Sequence, residues 1–472
     1  MTPARGGGVQ VDFDTLIELI TSTVAPESWD KVGGKGAVDG FIGGVWVDAA
    51  GLMRKTPPAT TRTEDLAELR ARAAPSAGRV NTNVRATSAL RMVSLTRLER
   101  ELEKRKALGR EPDEAMRYFA GISKIQCVLI YPETGDVVIA GPAGDWRTSA
   151  EGRVLSVVNN RPVLQLDDFL VVLRNAFGEE QRFGCSITPV QENLAKTKAF
   201  LAESAKTPLK PGERDGWLKE LRETVGEQTI EVYGIDPRTR AARVLVEADY
   251  RMKLVGMGLE DGTLGVKSYL DTVKPAADGA LPPMNVLRWW FTLNYSAVQA
   301  TPDRLAYELR GPGVQVLSEN EMLTQRGERV ATGQSDDLNR AFAQSFTQKY
   351  AALAEKYPIY AELGNIFDLA LVAALLKAED VPGKVDWHLA HFQDAEKCPV
   401  ALAAAPTRVD SVVSHRVVDA KHIVAGVSGG VAVDARPLVA RGAIKTSDEG
   451  KLEYQRRQGT PRADERDVWW WD

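Results

Sequence analysis

Cysteine and histidine are both scarce, with three and four residues in a chain of 472. Cys127, Cys185 and Cys398 lie far apart and form no CxxC pair. A disulfide framework is therefore not expected, one bridge plus one free thiol being the most that could form, and buried thiols acting as small apolar side chains are expected. No histidine precedes His388, which leaves everything upstream without an imidazole base or ligand. Long apolar runs are missing as well. The longest candidate, Leu369 to Leu376, falls well short of the roughly 18 residues a spanning helix needs, so no transmembrane segment is expected. Met1 to Gly8 has no apolar leader core, and no secretory signal is expected. Net charge is small: 60 Lys+Arg against 64 Asp+Glu, or −4. Nothing in that balance calls for nucleic acid or an anionic membrane. Forty glycines and 24 prolines are too few for a collagen-like or disordered chain.

What remains is globular: 44% hydrophobic and 26% charged residues, enough apolar material for about three domains. The fold class is read as α+β and multi-domain, with helix-helix-hairpin units followed by a β-rich segment, a helical pair and a C-terminal β segment. The segments are 1–56 (helix plus strand), 57–88 (linker or arm), 89–185 and 186–275 (two α+β units), and 276–334 (β-rich). They continue as 335–380 (helical pair), 381–448 (β-rich) and 449–472 (a polar tail ending in three tryptophans). Leu16, Ile17, Leu19, Ile20 and Val24 form a helical stripe after Asp12. Ser94 caps a helix whose Leu95, Leu98 and Leu102 face one way, with Glu101 and Arg105 paired four residues apart. Hairpin strands are expected at Gln126–Tyr131 and Val137–Ala140. A second unit repeats the order, with helices over 190–206 and 213–225, a strand from Thr229, and a long strand from Ala242 to Val255. Leu338, Phe342, Phe346, Tyr350, Leu353 and Tyr357 step by four and three, predicting one helix about six turns long. The helix after Pro358 is apolar nearly all round and must be covered. Val157 to Val163 with Asp167-Asp168-Phe169 is similar to a PDZ core, a short pattern that recurs by chance.

Chemistry has few places to reside. Gly426-Val427-Ser428-Gly429-Gly430 has the G-x-S-x-G spacing of a nucleophile turn. No histidine follows Ser428, and the available order, Asp410, His415, His422, Ser428, fits neither common triad order. Gly429 to Ala435 also matches Gly43 to Ala49 at all positions but one, so turn geometry before a strand explains the glycines. His388 and His391, with Asp394 and Cys398 beyond, lack the glutamate that gives H-E-x-x-H its meaning; no metal site and no cofactor are expected. Arg85 to Arg110 carries eight Lys/Arg against three Glu without aromatics, and a solvated helix face is expected rather than a nucleic-acid surface. Trp469-Trp470-Trp471 is the most unusual feature. It either folds back over its own domain or docks into a neighbour, since indoles carry much of the energy at interface anchors.

Several phrases together mark a resemblance: Phe41 to Asp48, Ile139 to Pro142, Trp289 to Phe291, Leu309 to Val314, Phe367 to Leu375, Val412 to Arg416 and Ala425 to Val431. Across 12–437 the chain resembles a family of uncharacterised proteins from planctomycete bacteria, catalogued as a domain of unknown function. Asp12 to Ile20, continuing to Trp29, is similar to N-terminal segments of other planctomycete envelope proteins, secretin-like ones among them. The resemblance implies export to the periplasm or envelope and supplies no activity or catalytic residue. The expectation is a non-enzymatic envelope-associated structural or interaction protein, acting by protein–protein contacts or self-assembly, possible contacts being Trp469, Trp470 and Trp471. The alternatives are a serine hydrolase using Ser428 with His415 or His422, and a glycan- or peptide-binding module near Trp289 and Trp290.

Overall fold

The computed structural model divides the chain into two units, Met1–Ser76 and Ala77–Asp472. It describes residues 17, 20–22, 26–29, 37–41 and 44–48, and 83–472 apart from 205, 207–211, 263–264, 274–285, 325, 327, 419–420, 448 and 463–466. In the first unit Ala37–Phe41 (β1) and Gly44–Asp48 (β2) pair antiparallel, from Ala37↔Asp48 to Phe41↔Gly44. The strand expected before Asp48 is there. Of the expected helix near Asp12, only Ile17 and 20–22 are described, and they are helical.

The second unit runs β3 (Ser88–Ser94), α1 (Leu95–Ala107), α2 (Glu114–Arg117), β4 (Cys127–Tyr131), β5 (Asp136–Ala143), β6 (Trp146–Thr148), β7 (Val154–Ser156), α3 (Leu166–Phe177) and β8 (Phe183–Pro189). It continues with α4 (Gln191–Ser204), α5 (Arg214–Val225), β9 (Glu227–Tyr233), α6 (Arg240–Gly256), α7 (Tyr269–Thr272), β10 (Val286–Asn294), β11 (Ala297–Ala300), β12 (Ala306–Arg310), β13 (Gly313–Leu323) and β14 (Arg329–Ala331). Helices α8 (Asp337–Gln348), α9 (Tyr350–Lys356), α10 (Pro358–Ala378), α11 (Val381–Lys384) and α12 (Ala390–Gln393) follow. The chain closes with β15 (Arg408–Asp410), β16 (Val413–Val418), β17 (Lys421–Val433), α13 (Arg436–Val439), β18 (Lys445–Thr446), α14 (Lys451–Gln458) and β19 (Trp470–Trp471).

Two mixed sheets organise these α+β elements. The first has the order β18-β11-β12-β4-β5-β3-β19, the second β14-β13-β10-β17-β8-β9-β15, with β16 pairing the first half of β17. Strands from 89–185, 276–334 and 449–472 thus share one sheet. Alternation along β4 sends Val128 and Ile130 into the main core and Cys127, Leu129 and Tyr131 to the opposite face. That second face is covered by Leu452 of α14 and by Gly459, where an added Cβ would sit 2.2 Å from the Met92 sulfur. The polar tail is therefore a structural cover.

Ser94 caps α1 as expected, its Oγ accepting from the Arg97 N–H at 3.2 Å, and Glu101 pairs with Arg105 at 3.3 Å. The expected strand 242–255 is instead the core of helix α6. Thr239 caps it, accepting from the Ala242 N–H at 3.3 Å, and 17 residues without a turn suit a helix better than a strand. Val244, Val246 and Val255 are buried on it, so packing overrides their β preference. The expected six-turn helix is divided at Lys349 into α8 and α9, although the stripe Phe342, Phe346, Tyr350 and Leu353 is buried as read. Thr347 Oγ1 donates back to the Ala343 carbonyl at 2.8 Å and accepts from the Val316 N–H at 2.9 Å, a bonding pattern that bends helices.

At the centre lies α10, long and apolar enough to cross a bilayer but buried inside the protein against α3, α6 and β13. Its Asp368 receives a 2.5 Å hydrogen bond from the Tyr295 hydroxyl. Beside it α6 packs against β17 through two glycines. A Cβ at Gly429 would lie 2.0 Å from the Trp289 carbonyl oxygen and 2.9 Å from Asp249. Gly430, at φ +153°, turns its N–H to Asp249 Oδ1 at 2.8 Å, and the fully buried Asp249 and Lys253 lie 2.7 Å apart. All three cysteines are free and buried; burial pushes the Cys127 thiol up to about 12.

Two outcomes follow. Gly429→Ala should destabilise the protein by about 2–3 kcal/mol in urea unfolding, while Gly216→Ala, in α5 with open space at the Cβ, should be neutral or stabilise by about 0.5–1 kcal/mol. Burial pushes the Asp368 carboxyl up to about 6, above an unfolded value of about 3.9. The folded state thus holds the proton more tightly, and the resulting stability is complete below the unfolded pKa and lost as pH rises through 6. Asp368→Asn should raise stability at pH 7 by up to about 3 kcal/mol and change little at pH 3.5, as read by denaturant midpoints at the two pH values.

Candidate functional site

Ser428 sits inside β17, opposite Arg288 of the parallel strand β10. It is fully buried, and its Oγ lies 3.2 Å from Glu321 Oε2 and 3.4 Å from the Leu287 carbonyl oxygen. Glu321 is itself paired with Arg329 at 2.8 Å. The glycine–serine phrase is thus strand interior, shaped by the approach of α6, and not a strand-to-helix turn. The backbone puts His415 opposite Val424 and His422 opposite Val417; their side chains lie outside the described residues.

The other candidates are also separated. His388 is exposed beside Asp386 at 3.7 Å, whereas His391 is buried. Among the described residues no group of three or more His, Cys, Asp or Glu side chains is arranged to hold a metal. Trp289 is enclosed, donating from Nε1 to Asn339 at 2.5 Å. Trp290 follows it on the opposite face of β10 beneath the Arg288 guanidinium, 4.7 Å from the ring centre. The two indoles share no groove.

The basic stretch and the tryptophan terminus, read separately in the sequence, meet in space. Trp470 pairs with Val93 and Trp471 with Met92, making β19 the edge strand beside β3. The Ser94 N–H donates to the Trp469 carbonyl at 2.9 Å. Arg91 is completely buried and grips Asp472 with Nε at 2.9 Å and Nη2 at 3.1 Å. Its remaining donors reach the Val84, Ala86 and Ala120 carbonyls, and its guanidinium lies 4.7 Å from the Trp470 ring centre. Arg97 is buried too. It binds Asp136 through two 2.8 Å hydrogen bonds and the Val468 carbonyl at 3.1 Å. Two of the cations expected on a solvated face thus serve as internal anchors for the tail.

A second feature is a cleft of about 660 Å³ between the end of α1, the loop 109–112, Tyr118, the start of α3, α12 and residues 397–401. Its walls are tied across long stretches of sequence. Lys106 Nζ donates to the Glu396 and Lys397 carbonyls at 2.5 Å each, and Arg174 to those of Phe392 and Cys398 at 2.8 and 2.6 Å. Asp167 accepts from the Ala401 N–H at 3.2 Å, and burial raises its carboxyl above the usual range. Beneath the cleft the Glu99 carboxylate accepts the N–H groups of His391 and Phe392 at 2.8 and 2.7 Å and the Trp387 indole N–H. Burial lowers the His391 imidazole and raises the Cys398 thiol to about 11, so that thiol is not a thiolate nucleophile at neutral pH. Glu99 lies on the Leu95, Leu98, Leu102 stripe of α1, which is the sequence signal for a buried carboxylate. The placing of Arg110, Tyr118 and His391 in the lining of one cleft has no such signal.

A family described as Protein of unknown function (DUF1598) matches residues 185–269. The matched segment runs from β8 through α4, α5, β9 and α6 into α7 and contains the buried Asp249–Lys253 pair. No curated protein and no solved structure matches the chain.

Removing the Asp472 carboxylate leaves the Arg91 charge enclosed among carbonyls. Asp472→Ala should cost about 2 kcal/mol or more, the full penalty of a broken buried pair being reduced by the partial exposure of Asp472. Lys104→Ala, at the exposed pair with Asp467, should leave the unfolding midpoint unchanged. Thermal or urea unfolding of both variants makes the comparison.

Proposed function

We propose that the protein is a non-enzymatic interaction protein of the cell envelope, working through protein–protein contacts or self-assembly. One observation carries this reading: the edge of the first sheet holds an extended aromatic strand whose aspartate side chain is gripped by a buried arginine. Backbone groups of β3 supply the ladder, Arg91 takes the acid, and the indoles supply apolar area. Strand addition to a sheet edge is a general mode of peptide recognition, in which main-chain bonds give affinity and side-chain pockets give selectivity. In this chain the site holds the chain's own Val468–Asp472. The same pairing made between two copies joins them without any new contact, as in segment exchange. The resemblance of residues 12–29 to planctomycete envelope segments supports the proposed location.

The test is removal of residues 468–472. Deletion bares the β3 edge, and the truncated chain should bind a labelled Val-Trp-Trp-Trp-Asp peptide saturably and change its mass distribution in light scattering. An unchanged assembly state together with no peptide binding would count against the reading. Labelling by a fluorophosphonate probe that disappears in Ser428→Ala would replace it with the hydrolase alternative.

A further inference from the structure

The cleft beside α12 has none of the tail's anchoring residues, Arg91 and Arg97, in its lining and has a different chemistry. Its floor is apolar, formed by Leu102, Leu166, Leu170 and Val400. Its cations, Lys106, Arg110, Arg117 and Lys397, outnumber its carboxylates, Glu111 and Asp167. Most of these charges are already engaged. Lys106 spans to two carbonyls, Arg117 donates to the Pro112 carbonyl at 3.0 Å and lies 3.5 Å from Glu111, and Lys397 pairs with Asp394 at 3.3 Å. Three polar groups in the lining have no such partner. The Arg110 guanidinium, the Tyr118 hydroxyl and the His391 ring nitrogens make no hydrogen bond or ion pair among the described residues, although all three residues line one cavity.

We infer that this cleft binds an apolar carboxylate: a small organic acid whose aliphatic or aryl body lies on the leucine floor and whose carboxylate meets Arg110, Tyr118 and His391. The donor set decides the sign of the ligand. A guanidinium has donors only, and a phenol and an imidazole each supply one. Charge-assisted bonds to a carboxylate are the strong kind. The lining decides the rest: the leucines are buried and Val400 is half-buried, so the wall offers apolar contact beside the polar groups, and a cavity of a few hundred Å³ of that kind suits a small amphipathic molecule. The wall ties from Lys106, Arg174 and Asp167 hold the cleft open before a ligand arrives, so little ordering is required on binding.

The experiment is calorimetric titration of the full-length chain with sodium decanoate below its micelle concentration, with decyltrimethylammonium as the oppositely charged control. Decanoate should bind saturably at one site, and the cation at least about tenfold more weakly. Arg110→Glu should weaken decanoate about tenfold or more, and Tyr118→Phe, which keeps the ring packed against Trp146, should weaken it by a smaller factor. Both side-chain changes should leave the unfolding midpoint in place. Asp472→Ala serves as the control for the tail and should bind decanoate as the parent does. The inference is overturned if no saturable binding occurs, if the cation binds equally well, or if Arg110→Glu binds decanoate with unchanged affinity. None of these results bears on peptide capture at β3.

Discussion

Arg91, Arg97, Asp136, Asp168, Asp249, Lys253 and Glu362 all lie out of contact with water or nearly so, and each is matched by an opposite charge. An ion moved into a protein interior loses several kcal/mol of hydration, recovered only when geometry and hydrogen bonds are good. Apart from Asp249 and Lys253, four residues apart on α6, the matches join segments far apart in the chain. Arg91 meets Asp472, Arg97 meets Asp136, and Arg240 bridges Asp168 of α3 and Glu362 of α10, while Arg153 reaches the same Glu362 and Glu247 of α6. Burial alone would raise the Asp136 carboxyl, but the bonds from Arg97 and Ser94 outweigh it and hold the group below its ordinary range. Such pairs add little stability over an apolar substitute, yet they penalise any arrangement that leaves one partner alone. Here they set which helix faces which, and where the C-terminal segment must lie.

The C-terminal segment therefore has two roles in one geometry. Its helix covers the outer face of the first sheet through Leu452, and its last residues close the edge of that sheet. An edge left open is a template for another chain. Here a strand from the same molecule closes it. The basic cleft is built differently, from side chains on helices and loops locked to one another, and its open polar groups face a small volume instead of a strand.

The DUF1598 match covers β8 and β9 of the second sheet together with α6, which carries the Asp249–Lys253 pair. There Gly429 and Gly430 bring β17 close enough to α6 for a strand N–H to reach a helix carboxylate. The glycine pair that looked like a nucleophile turn is thus a packing device.

Local periodicity determined much of this protein: the α+β class, the Ser94 cap, the leucine stripe of α1, the β4–β5 hairpin, the aromatic stripe of α8 and α9, and the need to cover α10. These are readable because they depend on neighbours three or four residues away along a helix or two along a strand. Helix α6 was misread as a strand because its β-branched residues are placed by packing against β17, a contact nearly 200 residues distant in the chain. The same limit hid the pairing of the basic stretch with the tryptophans and the placing of Arg110, Tyr118 and His391 along one cleft. Which charges are taken from water, and beside which partners, depends on distances between segments that only the folded chain brings together, so tertiary structure alone decided the tail's place on the β3 edge and the cleft.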